Sequence, residues 1–139
     1  MAAFSDFLEL LIAQVTLENA ATAVGATTMY VSLHTDWTAA TGDDATFTEV
    51  ATGSYARDPV TSTTGWDTTV AAGVTTIDNN GAITFVTATA NWGLIVAFGI
   101  WDAVTTGNLY FHGEVIPSVQ INTNDTFEFA DAALVIELQ

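Results

Sequence analysis

Cysteine is absent, which excludes disulfides and thiolate metal sites and leaves the redox compartment unreadable. Lysine is absent too, and Arg57 is the sole arginine against sixteen Asp and Glu, for a net charge of −15. Such a surface repels phosphate backbones and anionic membranes, so neither nucleic acid nor membrane is expected as a partner. The self-repulsion is tolerated best where salt screens it, since the Debye length falls to about 3 Å at 1 M ionic strength. No apolar run approaches the ~20 residues that a membrane helix needs. The opening MAAFSDFLELL lacks a basic n-region and carries Asp6 and Glu9, so it does not read as a secretory signal; a soluble protein is expected.

The catalytic inventory is equally thin. Without Cys or Lys the available nucleophiles are Ser, Thr and carboxylates, and there is no G-x-S-x-G elbow, H-E-x-x-H helix or P-loop. A glycosidase needs two carboxyls within several ångströms, and nothing in the sequence singles out a pair. No enzyme activity and no cofactor are expected. His34, with Asp36 nearby, and His112 lack metal-ligand spacing. The acidic turns Asp43-Asp44 and Asp78-Asn79-Asn80 do not follow an EF-hand pattern. The expectation is therefore no metal site, with both histidines hydrogen-bonded at strand ends and partly solvated. Arg57 is expected to pair with Glu49 or Asp58 at the surface, contributing at most about 1 kcal/mol.

What is present is apolar and β-forming. Half the residues are hydrophobic and only 12% are charged, enough for a real core in a chain of 139 residues. The pattern predicts one helix over 4–23, with Phe4, Leu8, Leu11, Ile12 and Val15 on its core face and Phe7 at the margin. Ser5 or Asp6 is placed to cap its start and Gly25 to end it. Strands are predicted over 28–35, around 54–57, over 74–77 and 83–86, and in a central hairpin of Leu94–Trp101 and Leu109–Gly113. Further strands follow Pro117, at 119–121, 126–129 and 134–138. Asp78-Asn79-Asn80-Gly81 is the clearest turn. Leu94–Trp101 is apolar on both alternating faces, as in the middle of a packed core. Together these signals predict a single domain over 1–139: a mainly β, antiparallel β-sandwich or jelly roll over 28–139 with one N-terminal α-helix.

Residues in the central hairpin carry a resemblance. Trp92-Gly93, then Phe98-Gly99-Ile100-Trp101-Asp102-Ala103, then Gly107-Asn108-Leu109-Tyr110-Phe111 with Gly113, resemble small virion proteins of tailed phages of the kind labelled tail-fibre protein. Tyr30-Val31-Ser32-Leu33-His34-Thr35, Glu49-Val50, Gly53-Ser54-Tyr55-Ala56-Arg57, Trp66, Ile83-Thr84-Phe85, Asn124-Asp125-Thr126-Phe127 and Ala133-Leu134 fall in the same order. The likeness thus covers about 29–138. Asn124 and Ala132 stand where it implies glycines, and the loop over 34–44 diverges.

The resemblance implies a structural protein displayed on the virion as a homo-oligomer, a trimer being one form, and associated with other virion proteins. Capsid decoration and a tail-fibre or tail-tip role are both open. Four residues are candidates for the interface. Leu10 and Leu17 share a line on the helix away from its core face. Trp37 lies in a polar loop, and Trp101 lies on the second apolar face of its strand. The alternative is a carbohydrate-binding β-sandwich module that uses Trp37 and loop acids.

Overall fold

The computed structural model describes residues 3–17, 26–37 and 48–138. Among these residues, ten strands and one helix follow in the order β1 (Ala3–Phe4), α1 (Asp6–Leu17), β2 (Thr28–His34), β3 (Asp58–Thr61), β4 (Trp66–Ala71), β5 (Val74–Asn79), β6 (Ile83–Thr84), β7 (Gly93–Trp101), β8 (Leu109–Ile121), β9 (Glu128–Phe129) and β10 (Val135–Leu138). A five-stranded sheet runs β1-β8-β7-β2-β3, a three-stranded one β10-β5-β4, and β6 pairs with β9. Every pairing is antiparallel. The fold is therefore mainly β with one helix near the N-terminus, as the sequence predicts.

The core lies between the sheets. Val31 and Leu33 of β2 and Ile95, Phe98 and Ile100 of β7 face Phe127, Phe129, Leu134 and Ile136 in one buried cluster. The rings of Phe98, Phe129, Phe127 and Phe85 meet edge to face in sequence, with centroids 4.9–5.9 Å apart. Such pairs add about 0.5–1.5 kcal/mol each beyond the area they bury. Strict alternation would put Ile95 on the face away from Phe98. A bulge after Ile95 corrects this. The pairs Ile95↔Val119 and Ala97↔Glu114 leave Val96 alone opposite Val115, Ile116, Pro117 and Ser118, so the alternation restarts and Ile95 points into the core.

The helix is shorter at its start than the spacing predicts. Phe4 belongs to β1, which pairs with Phe111 and His112, and its ring packs 5.5 Å from that of Phe111. Ser5 makes the transition: its Oγ accepts from the Leu8 N–H at 3.2 Å and donates to the Leu109 carbonyl, so the cap also moors the helix to β8. Leu8 and Leu11 are buried as expected, but Ile12 is exposed, because the seam of contact with β8 is narrower than the apolar stripe. Residues 18–25, with the predicted helix end and Gly25, lie outside the described residues, as do the side chain of Val15 and Asp43-Asp44.

Several strands also differ from expectation, β6 and β9 being two residues each where the sequence predicts 83–86 and 126–129. The extended segment expected around 54–57 is a turn and loop, and the strand is β3, which includes Pro59. Proline is tolerated there because β3 is an edge strand. The Thr-rich stretch holds β4, joined to β5 by Ala72-Gly73 with φ of 51° and 84°, both positive as a two-residue type I′ turn requires. β5 then runs on to Asn79, whose side chain is buried, donating to the carbonyls of Gly81 and Ala130 and accepting from the Leu134 N–H. β8 likewise continues through Pro117. Asn124 and Ala132, standing where glycines were implied, have φ of 74° and 57°. The left-handed turns are thus retained without the residue that adopts them most readily.

Candidate association surfaces

The face of the five-stranded sheet away from the core carries a buried polar layer. Ser32, Gly99 and His112 lie side by side across β2, β7 and β8, flanked by His34 opposite Ala97. Ser32 Oγ accepts from Trp101 Nε1 at 2.7 Å and lies 2.6 Å from His34 Nε2. Gly99 is required beneath them: a methyl group there would sit 2.8 Å from both Ser32 Oγ and Trp101 Nε1. Both histidines are buried, not partly solvated as expected, because they sit on inner strands of this sheet. Among the described residues no group of His, Asp and Glu is arranged to hold a metal ion.

Arg57 closes the layer at one end. Its guanidinium lies 4.0 Å from the centre of the Trp101 ring. Nε and Nη2 donate to Glu49 Oε1 and Oε2 at 2.9 and 2.7 Å, while Nη1 donates to the carbonyls of Ala103 and Thr106 at 2.9 and 2.8 Å. Tyr55 joins them, donating to Glu49 Oε1 and accepting from the Leu33 N–H. Burial, and then the Glu49 charge, push the Tyr55 hydroxyl well above its ordinary pKa, so it stays a protonated donor. The partner is Glu49, one of the two foreseen. The setting is not: Arg57 is only 7% exposed and the Glu49 side chain is 28% exposed, so this is a partly buried ion pair and not a fully exposed surface one. The one sequence signal was its solitude, a single cation among sixteen acids beside a tyrosine.

This anchor fixes the tip of the central hairpin. Asp102 accepts from the backbone and side chain of Asn108 at 2.7 Å each, and Arg57 holds the carbonyls of Ala103 and Thr106. The exposed residues Val104, Thr105, Thr106 and Gly107 are thereby presented on a rigid base.

The four candidate interface residues do not come together. Leu10 and Leu17 stand out from α1 at 58% and 84% exposure, while Leu8 and Leu11 of the same helix are buried. Trp101 is enclosed by its own chain, its ring covered by Arg57 and its N–H held by Ser32, which removes it from the outer surface. Trp37 is half-buried, with its N–H directed at His112 Nδ1 over 3.4 Å. Among the described residues no helix is long and apolar enough to cross a membrane.

No curated protein matches the chain. A family described as "Podophage GP4 fiber I protein gp80" matches residues 3–137, which is nearly the whole sequence. That span takes in the mooring strand β1, the Arg57 anchor and the central hairpin, so it extends beyond the stretch that carried the resemblance. The chain belongs to this phage fibre family, and it is a component of the virion.

Proposed function

We propose that the chain is a structural subunit displayed on the phage particle as a homo-oligomer, acting by association and not by catalysis. In this reading it forms one domain and joins other copies and other virion proteins. The fibre description of its family favours a place in a tail fibre or tail tip over capsid decoration.

The observation that carries the reading is the outer face of α1. Seven residues span almost two helical turns, so Leu10 and Leu17 project along one line. Both are exposed although α1 already buries Leu8 and Leu11 against the sheet. Two such leucines in water are readily explained by a partner surface that covers them. A second copy can do so through apolar contact alone, which matters because the chain offers no exposed basic side chain for an ion pair.

The double substitution Leu10→Glu, Leu17→Glu tests this by sedimentation velocity alongside a melting curve. The expected result is a smaller sedimenting species with an unchanged melting temperature of the folded subunit. Unchanged assembly would reject the interface, and a collapsed subunit would place both leucines in the intrachain core.

A further inference from the structure

The outer side of β8 is covered only at its beginning. β1 pairs with Phe111 and His112, and from Gly113 to Ile121 the sole strand neighbour among the described residues is β7. Along this arm, which carries the bulge opposite Val96, Ile116 is 75% exposed and Val119 38% exposed. An uncovered strand that bears apolar side chains offers backbone donors and acceptors to another chain, here in the stretches on either side of Pro117, which has no N–H to donate. Beside the arm runs a groove of about 560 Å³ between β8 and the β9–β10 region. Phe127 and Phe129 lie in its lining, Ile116, Val119 and Val135 give it apolar walls, and Glu114 and Glu128 bring two exposed carboxylates. Glu128 Oε2 accepts from Thr84, and among the described residues no cation pairs with either acid.

The charge pattern selects the occupant. Arg57 is the only Lys or Arg in the chain, and it is buried and engaged; His34 and His112, the only histidines, are buried as well. The protein surface therefore carries acids and no basic side chain. A second copy would bring only like charge to Glu114 and Glu128. A segment that carries Lys or Arg would bring the missing sign, aided by long-range attraction to a chain of net charge −15.

We propose that the groove along the β8 arm receives an extended segment of a basic partner protein. Aliphatic side chains of that segment lie against Ile116 and Val119, and its Lys or Arg side chains meet Glu114 and Glu128. The mode is strand addition, in which backbone pairing gives affinity and alternate side chains give specificity. The inference rests on the reading of the chain as an associating virion subunit, but it uses a surface separate from Leu10 and Leu17.

The test uses the full chain and a short fluorescent peptide that alternates lysine and valine, followed by anisotropy. Glu114→Gln with Glu128→Gln should weaken binding about tenfold or more, as should Ile116→Asp. Asp36→Asn with Asp67→Asn, which removes the same charge elsewhere on the exposed surface, should change it less than about twofold. Amide exchange should slow within 113–121 when the peptide binds. No binding, equal weakening by the two charge-matched pairs, or protection confined elsewhere would each overturn the proposal. The Leu10→Glu, Leu17→Glu variant should still bind the peptide, and the Glu114→Gln, Glu128→Gln variant should keep its oligomeric state. Failure of the groove and failure of the helix interface are thus read separately.

Discussion

Arg57 and Glu49 meet through two hydrogen bonds, Nε to Oε1 at 2.9 Å and Nη2 to Oε2 at 2.7 Å, and the arginine side chain is only 5% exposed. The same guanidinium holds two carbonyls of the hairpin tip, so one side chain joins the loop before β3 to the turn between β7 and β8. The cationic end of the pair lacks a substitute, since the chain has no second Lys or Arg.

Glu49→Gln should remove the charge that faces the buried guanidinium and cost about 1–3 kcal/mol in urea unfolding followed by tryptophan fluorescence. Arg57→Lys should also destabilise, because an ammonium lacks the planar fork that serves a carboxylate and two carbonyls at once. A loss below about 1 kcal/mol in both variants would mean that the pair behaves like an exposed one.

Asp58, next in sequence, gives a pH dependence. Burial raises its carboxyl above the ordinary 3.8. Folding therefore favours the protonated form, and that contribution is present below 3.8 and lost as pH rises through the folded value. At neutral pH the charged carboxylate opposes folding. Asp58→Asn should melt higher than the parent at pH 7, and the gap should close as pH falls below 3.8. A constant gap across that range would show that the gain does not come from the carboxylate's charge.

The β4–β5 turn offers a stabilising change. Ala72 adopts φ 51°, which costs an L-residue about 1–2 kcal/mol in the left-handed region. Asn tolerates that conformation, and Asn-Gly is a preferred type I′ pair. Ala72→Asn should add roughly 0.5–1 kcal/mol in denaturant unfolding, and Ala72→Val should destabilise. No gain from Asn would indicate that the turn is not of this type.

The same turn shows why parts of the fold were hard to read. Ala-Gly carries little of the turn signal that Asn-Gly does, and the flanking strand exposes Asp67, Thr68, Thr69 and Val70 without a clean alternation. The central hairpin was legible because Leu94–Trp101 has no polar interruption and is followed by Thr-Thr-Gly-Asn. The two apolar faces of β7 were also legible, but what covers the second was not. Trp101 invited a partner subunit, yet the cover is Arg57, placed there by the meeting of three segments distant in sequence. Leu10 and Leu17 were readable as a second stripe because helical geometry alone fixes their direction. The groove beside β8 was not, since it depends on a bulge of four residues against one, and no local pattern announces that mismatch.

The burial of the sole arginine also bears on how the subunit survives outside a cell. A protease that cuts after Lys or Arg has one bond to attack in the entire chain, between Arg57 and Asp58. Its recognition side chain is held by Glu49, two carbonyls and a tryptophan ring. While the fold holds, trypsin-like enzymes in the surroundings have no accessible basic side chain to seize. Cleavage into two fragments would then record the opening of the Arg57 anchor, giving a measure of how often the loop and the hairpin tip part.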